Sequence, residues 1–358
     1  MPMPLLVDAH EDLAWNIQVF ERDYTRSAEE TRRLERGSLA VERNGDTLLG
    51  WPAYPRGRVA VVFSTLFAAP ARRRVGEWDT QAYANFDEAH RLYHGQLTAY
   101  HRLAEHHPEK FRLIGSRADL EDLLARWEDP HAESDGRPVG LVPLMEGAEG
   151  VRSPDELGEW WEEGLRIIGL AWAGTRFCGG TREPGPLTEE GRALLNAMAE
   201  VGFALDLSHM DEAAALEALD LYPGTVIASH ANPAALLPGV ESNRHLSDRL
   251  IRGIIERDGV IGIVPFNAFL VPDWRKGDSR QKVTLERVVA HIDYICQMAG
   301  DARHVGIGSD FDGGFGVQSV PADVDTIADL QKLAPLLAAK GYSDEDIARI
   351  LGENWLAR

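Results

Sequence analysis

Short apolar runs rich in β-branched residues recur along the whole chain, at 5–10, 59–67, 139–145, 165–171, 203–208, 225–229, 259–266 and 304–309. Several are almost continuously hydrophobic, as in VAVVFSTLF and GVIGIVPF. A strand with one face in water alternates apolar and polar residues. A strand covered on both faces does not, so these runs predict parallel strands buried on both sides. Segments 188–201, 246–257, 282–299 and 344–356 instead repeat apolar positions at helical spacing, the first after Thr188 and a pair of acids. Eight strands alternating with helices predict an α/β fold, a single (β/α)8 TIM-type barrel over 1–358. The segments 13–58 and 68–138 are long for connections, and the second carries helical stretches near 77–107 and 116–127. Both read as helical elaborations in the early βα segments, since no linker, repeat or low-complexity tract sets them apart.

Polar residues break the pattern where the runs end. His10-Glu11-Asp12, Glu146, His209, His230 and Asp310 each follow an apolar run directly. An open, doubly wound sheet gathers its site at one switch point between two strands. Here strands one, three, five, six and eight all contribute, which requires a closed ring with the site at the strands' C-terminal ends.

In a strand, residues i and i+2 share a face, so His10 and Asp12 point together and Glu11 points away. On its own a His-x-Asp pair is a weak signal for a metal ligand pair. Glu146 ends an otherwise apolar strand, where a carboxylate is costly to desolvate unless paired or metal-bound. A rim salt bridge is the alternative to a carboxylate bridging two ions. His209 and His230 close successive strands, each after a serine, and are expected to share a second ion. Neutral imidazole suits zinc, and mixed His/carboxylate sites also take manganese or cobalt. Asp310 and Asp312 have the same strand parity. Asp310 follows the apolar run directly and should lie deeper, as a proton shuttle. Asp312, beside Gly313-Gly314, reads as loop chemistry.

Two divalent ions about 3.5–4 Å apart make hydroxide from water at neutral pH and polarise a carbonyl or phosphoryl oxygen. Hydrolysis of an electrophilic centre is the expected reaction class. A P-loop, a GxGxxG after strand one and a GxSxG are all missing, so kinase, dehydrogenase and serine hydrolase readings lack support.

The chain has 37 Lys+Arg against 57 Asp+Glu, a net charge of −20, and its one basic cluster, Arg72-Arg73-Arg74, reads as a solvated loop. No nucleic-acid partner is expected from that balance. Two distant cysteines, Cys178 and Cys296, exclude a disulfide scaffold. The N-terminal apolar stretch is too short for a signal sequence and no window is long enough for a membrane span, so a cytoplasmic location without membrane association is expected.

DAHEDL, LMEGAEG, DLSHMDE, VIASHAN, SNRHLSD, RDGVIGIVPF, HVGIGSDFDGG and the closing YSDEDIARILGENWLAR together resemble the membrane (renal) dipeptidase family, peptidase family M19, among the amidohydrolase-type barrels. The resemblance covers nearly the whole chain. It implies a zinc-dependent dipeptidase acting on L-L and L-D dipeptides. His10 and Asp12 would bind one zinc, His209 and His230 the other, Glu146 would bridge, and Asp310 would be the general acid/base. It implies that Arg244 holds the substrate's C-terminal carboxylate, a role that suits a guanidinium fork. A homodimer would suit the family. Two positions depart from its pattern. Glu11 stands where the family has Asn or a small residue. Trp172 aligns with a histidine that contacts the substrate carbonyl oxygen; indole donates one hydrogen bond and carries no charge. Arg176 and the glycine loop 179–180 are the candidates to supply the missing donor.

The Trp172 difference keeps open another small substrate for the same metal site: an N-acyl amino acid, a lactam or a phosphoester. A non-catalytic metal-binding barrel is the third reading, and the proton shuttle beside the ligands argues against it.

Overall fold

A computed structural model describes residues 3–129, 131 and 137–358. Eight strands form its central ring: β1 Leu6–Glu11, β2 Val59–Phe67, β3 Val139–Glu146, β4 Ile167–Gly169, β5 Ala204–Asp206, β6 Val226–Ala228, β7 Val260–Ile263 and β8 Val305–Ile307. Every neighbouring pair is parallel. The ring closes because β1 pairs with both β2 and β8, while β2 pairs with β3 from Val61 opposite Gly140 to Phe67 opposite Glu146. That closure excludes the open doubly wound sheet. A further short strand, Phe111–Leu113, runs beside the first half of β3, and β4 takes the second half of the same edge. Three residues are too few to show a period, which is why the sequence did not reveal it.

Local chemistry moves some helix boundaries. The stretch expected near 77–107 is helical only over Phe86–His106, because the Asn85 side chain accepts the Glu88 N–H (3.0 Å) and starts the helix there. The C-terminal pattern is helical at Asp344–Ala348 and Asn354–Leu356, with a π turn at Arg349–Glu353 between them. Gly352 lies in that turn, where a Cβ would come 2.8 Å from the Leu5 carbonyl oxygen.

Apolar residues form two clusters. The smaller joins Val7, Phe63, Leu144, Ile167, Ile227 and Val260, one from each of six strands, with Trp355 of the last helical turn. Val7, Ile167 and Val260 stand at or next to the starts of their strands, and Trp355 packs with them at the end of the barrel away from the site. The Trp355 indole N–H donates to the Ile307 carbonyl (3.1 Å), and Gly306 makes room for the ring.

Asp312 ties the long segment 13–58 to the barrel. Its Oδ2 accepts from Arg22 Nη1 (2.9 Å), Tyr24 (2.9 Å) and Thr47 (2.5 Å), and its Oδ1 accepts the Leu48 N–H (2.9 Å). The Asn16 and Asn44 side-chain amides donate to its carbonyl at 2.9 and 3.0 Å. The residue that read as loop chemistry is thus a fully buried anchor. Replacing it leaves the buried Arg22 with Glu35 as its one carboxylate partner and takes the acceptor from Tyr24, Thr47 and the Leu48 N–H. We expect Asp312→Ala to lose about 3–5 kcal/mol of stability, measured by denaturant unfolding; a loss under about 1 kcal/mol would show that the segment is held by apolar packing alone.

Candidate active site

All the strand-end residues singled out in the sequence lie at the C-terminal ends of the barrel strands, where loops of such barrels carry their chemistry. Glu146 is the last residue of β3, and its Oε1 is the hub. It stands 3.0 Å from His209 Nε2, 3.2 Å from His230 Nε2 and 3.9 Å from His10 Nε2. His10 Nε2 is in turn 3.7 Å from Asp12 Oδ2. Two overlapping groups have donor atoms close enough to share an ion: His10, Glu146 and His230, and His10, Asp12 and Asp310.

The far side of each imidazole explains which nitrogen faces the hub. Ser229 Oγ donates to Asp206 Oδ2 (2.5 Å) and therefore accepts from His230 Nδ1 (2.8 Å). That places the His230 proton on Nδ1 and leaves Nε2 a bare lone pair. Thr181 Oγ1 faces His209 Nδ1 at 2.9 Å, and Ser229 Oγ lies 3.5 Å from His10 Nδ1. His10 Nε2 has no hydrogen-bond partner, and the Nε2 atoms of His209 and His230 are only 2.9 Å apart. Three imidazole Nε2 atoms that converge on one carboxylate oxygen, one of them a bare lone pair, fit a bound cation.

Burial pushes His10 down to about 3, and pushes His209 and His230 well below the ordinary imidazole value; the Arg244 charge adds to this in all three. Both effects favour the neutral imidazole in each of the three. Burial also raises Asp12, then the charges of Asp310 and Asp312 raise it further. Glu146 is raised by burial and then by Asp12 and Asp310. Asp310 is pushed up to about 7 by burial, against the pull of Arg244. Three carboxyl groups and three neutral imidazoles leave the pocket short of positive charge, as the chemistry of this donor set for divalent metal requires.

Backbone geometry fixes the loop residues. His209, Asp310 and Asp312 all have positive φ, at 66°, 57° and 63°. L-residues adopt this conformation at a cost, and it recurs at functional sites. A Cβ on Gly313 would sit 2.1 Å from Asp310 Oδ1 and 2.6 Å from Asp12 Oδ2, so only glycine lets this loop pass over the carboxylates.

The site opens into a cleft of about 550 Å³ lined by Asp12, Glu146, His209, Arg244 and Asp310. Trp172 lies in its wall, 5.0 Å from the Phe67 ring and 6.3 Å from that of His209. Trp15 and Trp78 line the far part, contributed by the two long segments. Arg244 is buried, with Nη2 donating to the His230 carbonyl (2.6 Å) and Nη1 unpartnered. Arg176 is elsewhere: its guanidinium pairs with Glu149 (2.9 Å) and Glu190 (3.2 Å), so it supplies no donor to the cleft. Glu11 is fully buried and accepts from the Tyr54 hydroxyl (2.7 Å). The orienting residues Asp206, Ser229 and Thr181 were not found from the sequence. The serines before His209 and His230 were the visible trace of two of these contacts, since Ser208 Oγ accepts the His230 N–H (3.1 Å).

Raised carboxyl values make folding depend on pH. Without metal, the folded state binds more protons than the unfolded chain between the ordinary carboxylate range and, for Asp310, about 7. Stability from Asp310 is complete below about pH 4 and is lost as pH rises through about 7, and the raised Asp12 and Glu146 act in the same direction. Divalent metal substitutes for those protons. The Tm gap between metal-loaded and chelator-treated protein should widen from about pH 5 to about pH 8; a gap that is constant or narrows would exclude these carboxyls as the metal-linked groups.

The family model for membrane dipeptidase, peptidase family M19, matches residues 2–357. An uncharacterised protein from the region 5′ of pqqA in Klebsiella pneumoniae is 32% identical over 271 residues, covering 73% of this chain and 92% of that protein. Dipeptidase tcpJ of Claviceps purpurea is 32% identical over 230 residues, covering 60% of this chain and 50% of its own length. A metallopeptidase from Rhodobacter sphaeroides, solved with a phosphinate mimic of the dipeptide L-Ala-D-Ala, shares the fold with a TM-score of 0.77 at 23% identity; the match covers 99% of this chain and 98% of that one. No helix among the described residues is long and apolar enough to cross a membrane.

Proposed function

The chain belongs to the membrane dipeptidase family, peptidase family M19, and we propose from that premise that it hydrolyses dipeptides, L-L and L-D, with two zinc ions. What carries this reading is the convergence of His10, His209 and His230 Nε2 on Glu146 Oε1, within 3.0–3.9 Å. His10 and Asp12 would hold one ion, His209 and His230 the other, with Glu146 shared between them. Bound divalent ions would supply the acidity that ionises water near neutral pH and the Lewis acidity that polarises a carbonyl.

The remaining roles fall to the chain's own groups. Asp310 stands beside Asp12 and His10 at the cleft floor, where its carboxylate can take a proton from the attacking water and give it to the leaving amine. Arg244 is anchored through Nη2 and offers Nη1 to the substrate's C-terminal carboxylate. Trp172 walls the cleft next to His209 and presents a neutral indole to the substrate. That neutral wall also supports a second reading, in which the same site acts on another small amide such as an N-acyl amino acid or a lactam.

A panel of L-L and L-D dipeptides, tested with metal-stripped protein given two equivalents of zinc, separates the two. Cleavage that vanishes when zinc is withheld is expected. Two bound zinc ions with no dipeptide cleaved, but an N-acyl amino acid turned over, would move the assignment to the second reading. With a cleaved dipeptide, Arg244→Ala should raise KM about 10–100-fold, the scale of a lost charge-assisted bond. Asp310→Asn should lower kcat about 10²–10⁴-fold. An unchanged KM in the first variant would remove Arg244 from substrate binding.

A further inference from the structure

One guanidinium in the cleft has no ion-pair or hydrogen-bond partner among the described residues. Arg182 is the second residue of the tight turn between the strands Cys178–Gly180 and Glu183–Leu187. Its φ of 63° is a conformation for which glycine or asparagine is the usual choice. The side chain is exposed and lines the same cleft as Arg244. Among the described residues its guanidinium makes no ion pair or hydrogen bond. The adjacent Glu183 is held instead by Arg72 (2.6 Å) and Arg73 (2.8 Å), so two arginines of the exposed basic cluster brace this hairpin.

The turn is also fixed relative to the site. Thr181 Oγ1 faces His209 Nδ1 (2.9 Å) and the Thr181 N–H donates to the Trp172 carbonyl (2.8 Å). Asn243, the neighbour of Arg244 in sequence, accepts the Arg182 N–H at its Oδ1 (2.9 Å) and donates from Nδ2 to the Gly180 carbonyl (2.9 Å). One asparagine thus cross-links the backbone that carries Arg182 to the backbone that carries Arg244. Arg182 and Arg244 thus line one cleft from backbone joined through Asn243, and each brings a guanidinium with donors the protein leaves free for an anion.

We propose that Arg182 is a specificity-determining residue that selects substrates with a second carboxylate, on the side chain of the residue whose α-carboxylate Arg244 holds. The preferred substrates are dipeptides ending in aspartate or glutamate. This rests on the dipeptidase reading and on the assignment of Arg244 within it.

The test compares Ala-Asp with Ala-Asn and Ala-Glu with Ala-Gln, each C-terminal residue in both configurations. These pairs differ in charge and hardly in shape. Zinc-loaded wild type should favour the acidic member by about tenfold or more in kcat/KM, mainly through KM, and less so as salt is raised. Arg182→Gln should bring the ratio close to one. Arg182→Asn, which suits the left-handed turn, should do the same and guards against misfolding of the first variant. Wild type without an acidic preference, or variants that keep it, would overturn the proposal. Should wild type cleave no dipeptide, the dipeptidase reading fails separately, and binding decides about Arg182. Calorimetry with zinc-loaded Asp310→Asn protein should show Ala-Asp bound more tightly than Ala-Asn, a difference lost on adding Arg182→Gln; equal binding of the two peptides would overturn the proposal by that route as well.

Discussion

Three imidazole nitrogens with their lone pairs turned toward one carboxylate oxygen set the terms for the rest of this molecule. His10, His209 and His230 meet Glu146 Oε1 within 3.0–3.9 Å. The carboxyls do not gain from such proximity by themselves: those of Asp12, Glu146 and Asp310 are all forced upward. The arrangement is stable only if cationic charge is supplied and if the surroundings hold the groups against relaxation.

Those surroundings are visible one layer out. Asp206 accepts from Ser229, which accepts from His230, so one buried carboxylate settles the tautomer of a histidine it does not touch. Thr181, on the turn of the hairpin after β4, faces the corresponding nitrogen of His209. The left-handed backbone at His209, Asp310 and Asp312 turns the loops after β5 and β8 sharply across the ring. Asp312 then converts the strained β8 loop into an anchor for segment 13–58. The same short stretch therefore presents Asp310 to the cleft and ties down the wall above it.

The two long insertions account for the character of the cleft more than the barrel does. Trp15 and Trp78 reach it from segments outside the strand pattern, and the hairpin carrying Arg182 closes another side. The barrel supplies reaction chemistry at its rim, while the excursions supply the surface a substrate meets. In this family, differences in substrate choice would then be expected to arise in those excursions and in wall residues such as Trp172.

The eight barrel strands, their direction and the location of the polar rim follow from this sequence alone, because a strand buried on both faces must be apolar throughout and a polar residue at its end has few places to go. The motif-bearing residues were legible for the same reason: His10, Glu146, His209, His230 and Asp310 interrupt apolar runs. The register of the pairs that close the ring, such as Val61 opposite Gly140, needed the tertiary structure, since pairing of strands far apart in sequence leaves no local pattern. So did the roles of Asp312, fully enclosed by residues 16–48, and of Asp206, Ser229 and Thr181. Nor could the sequence distinguish the free guanidinium of Arg182 from the occupied ones of Arg72, Arg73 and Arg176. All four are arginines on polar segments, and only the distances to Glu183, Glu149 and Glu190 separate them. Periodicity records which face of an element is buried, whereas hydrogen-bond partners and charge neutralisation depend on distances across the fold that no periodicity encodes.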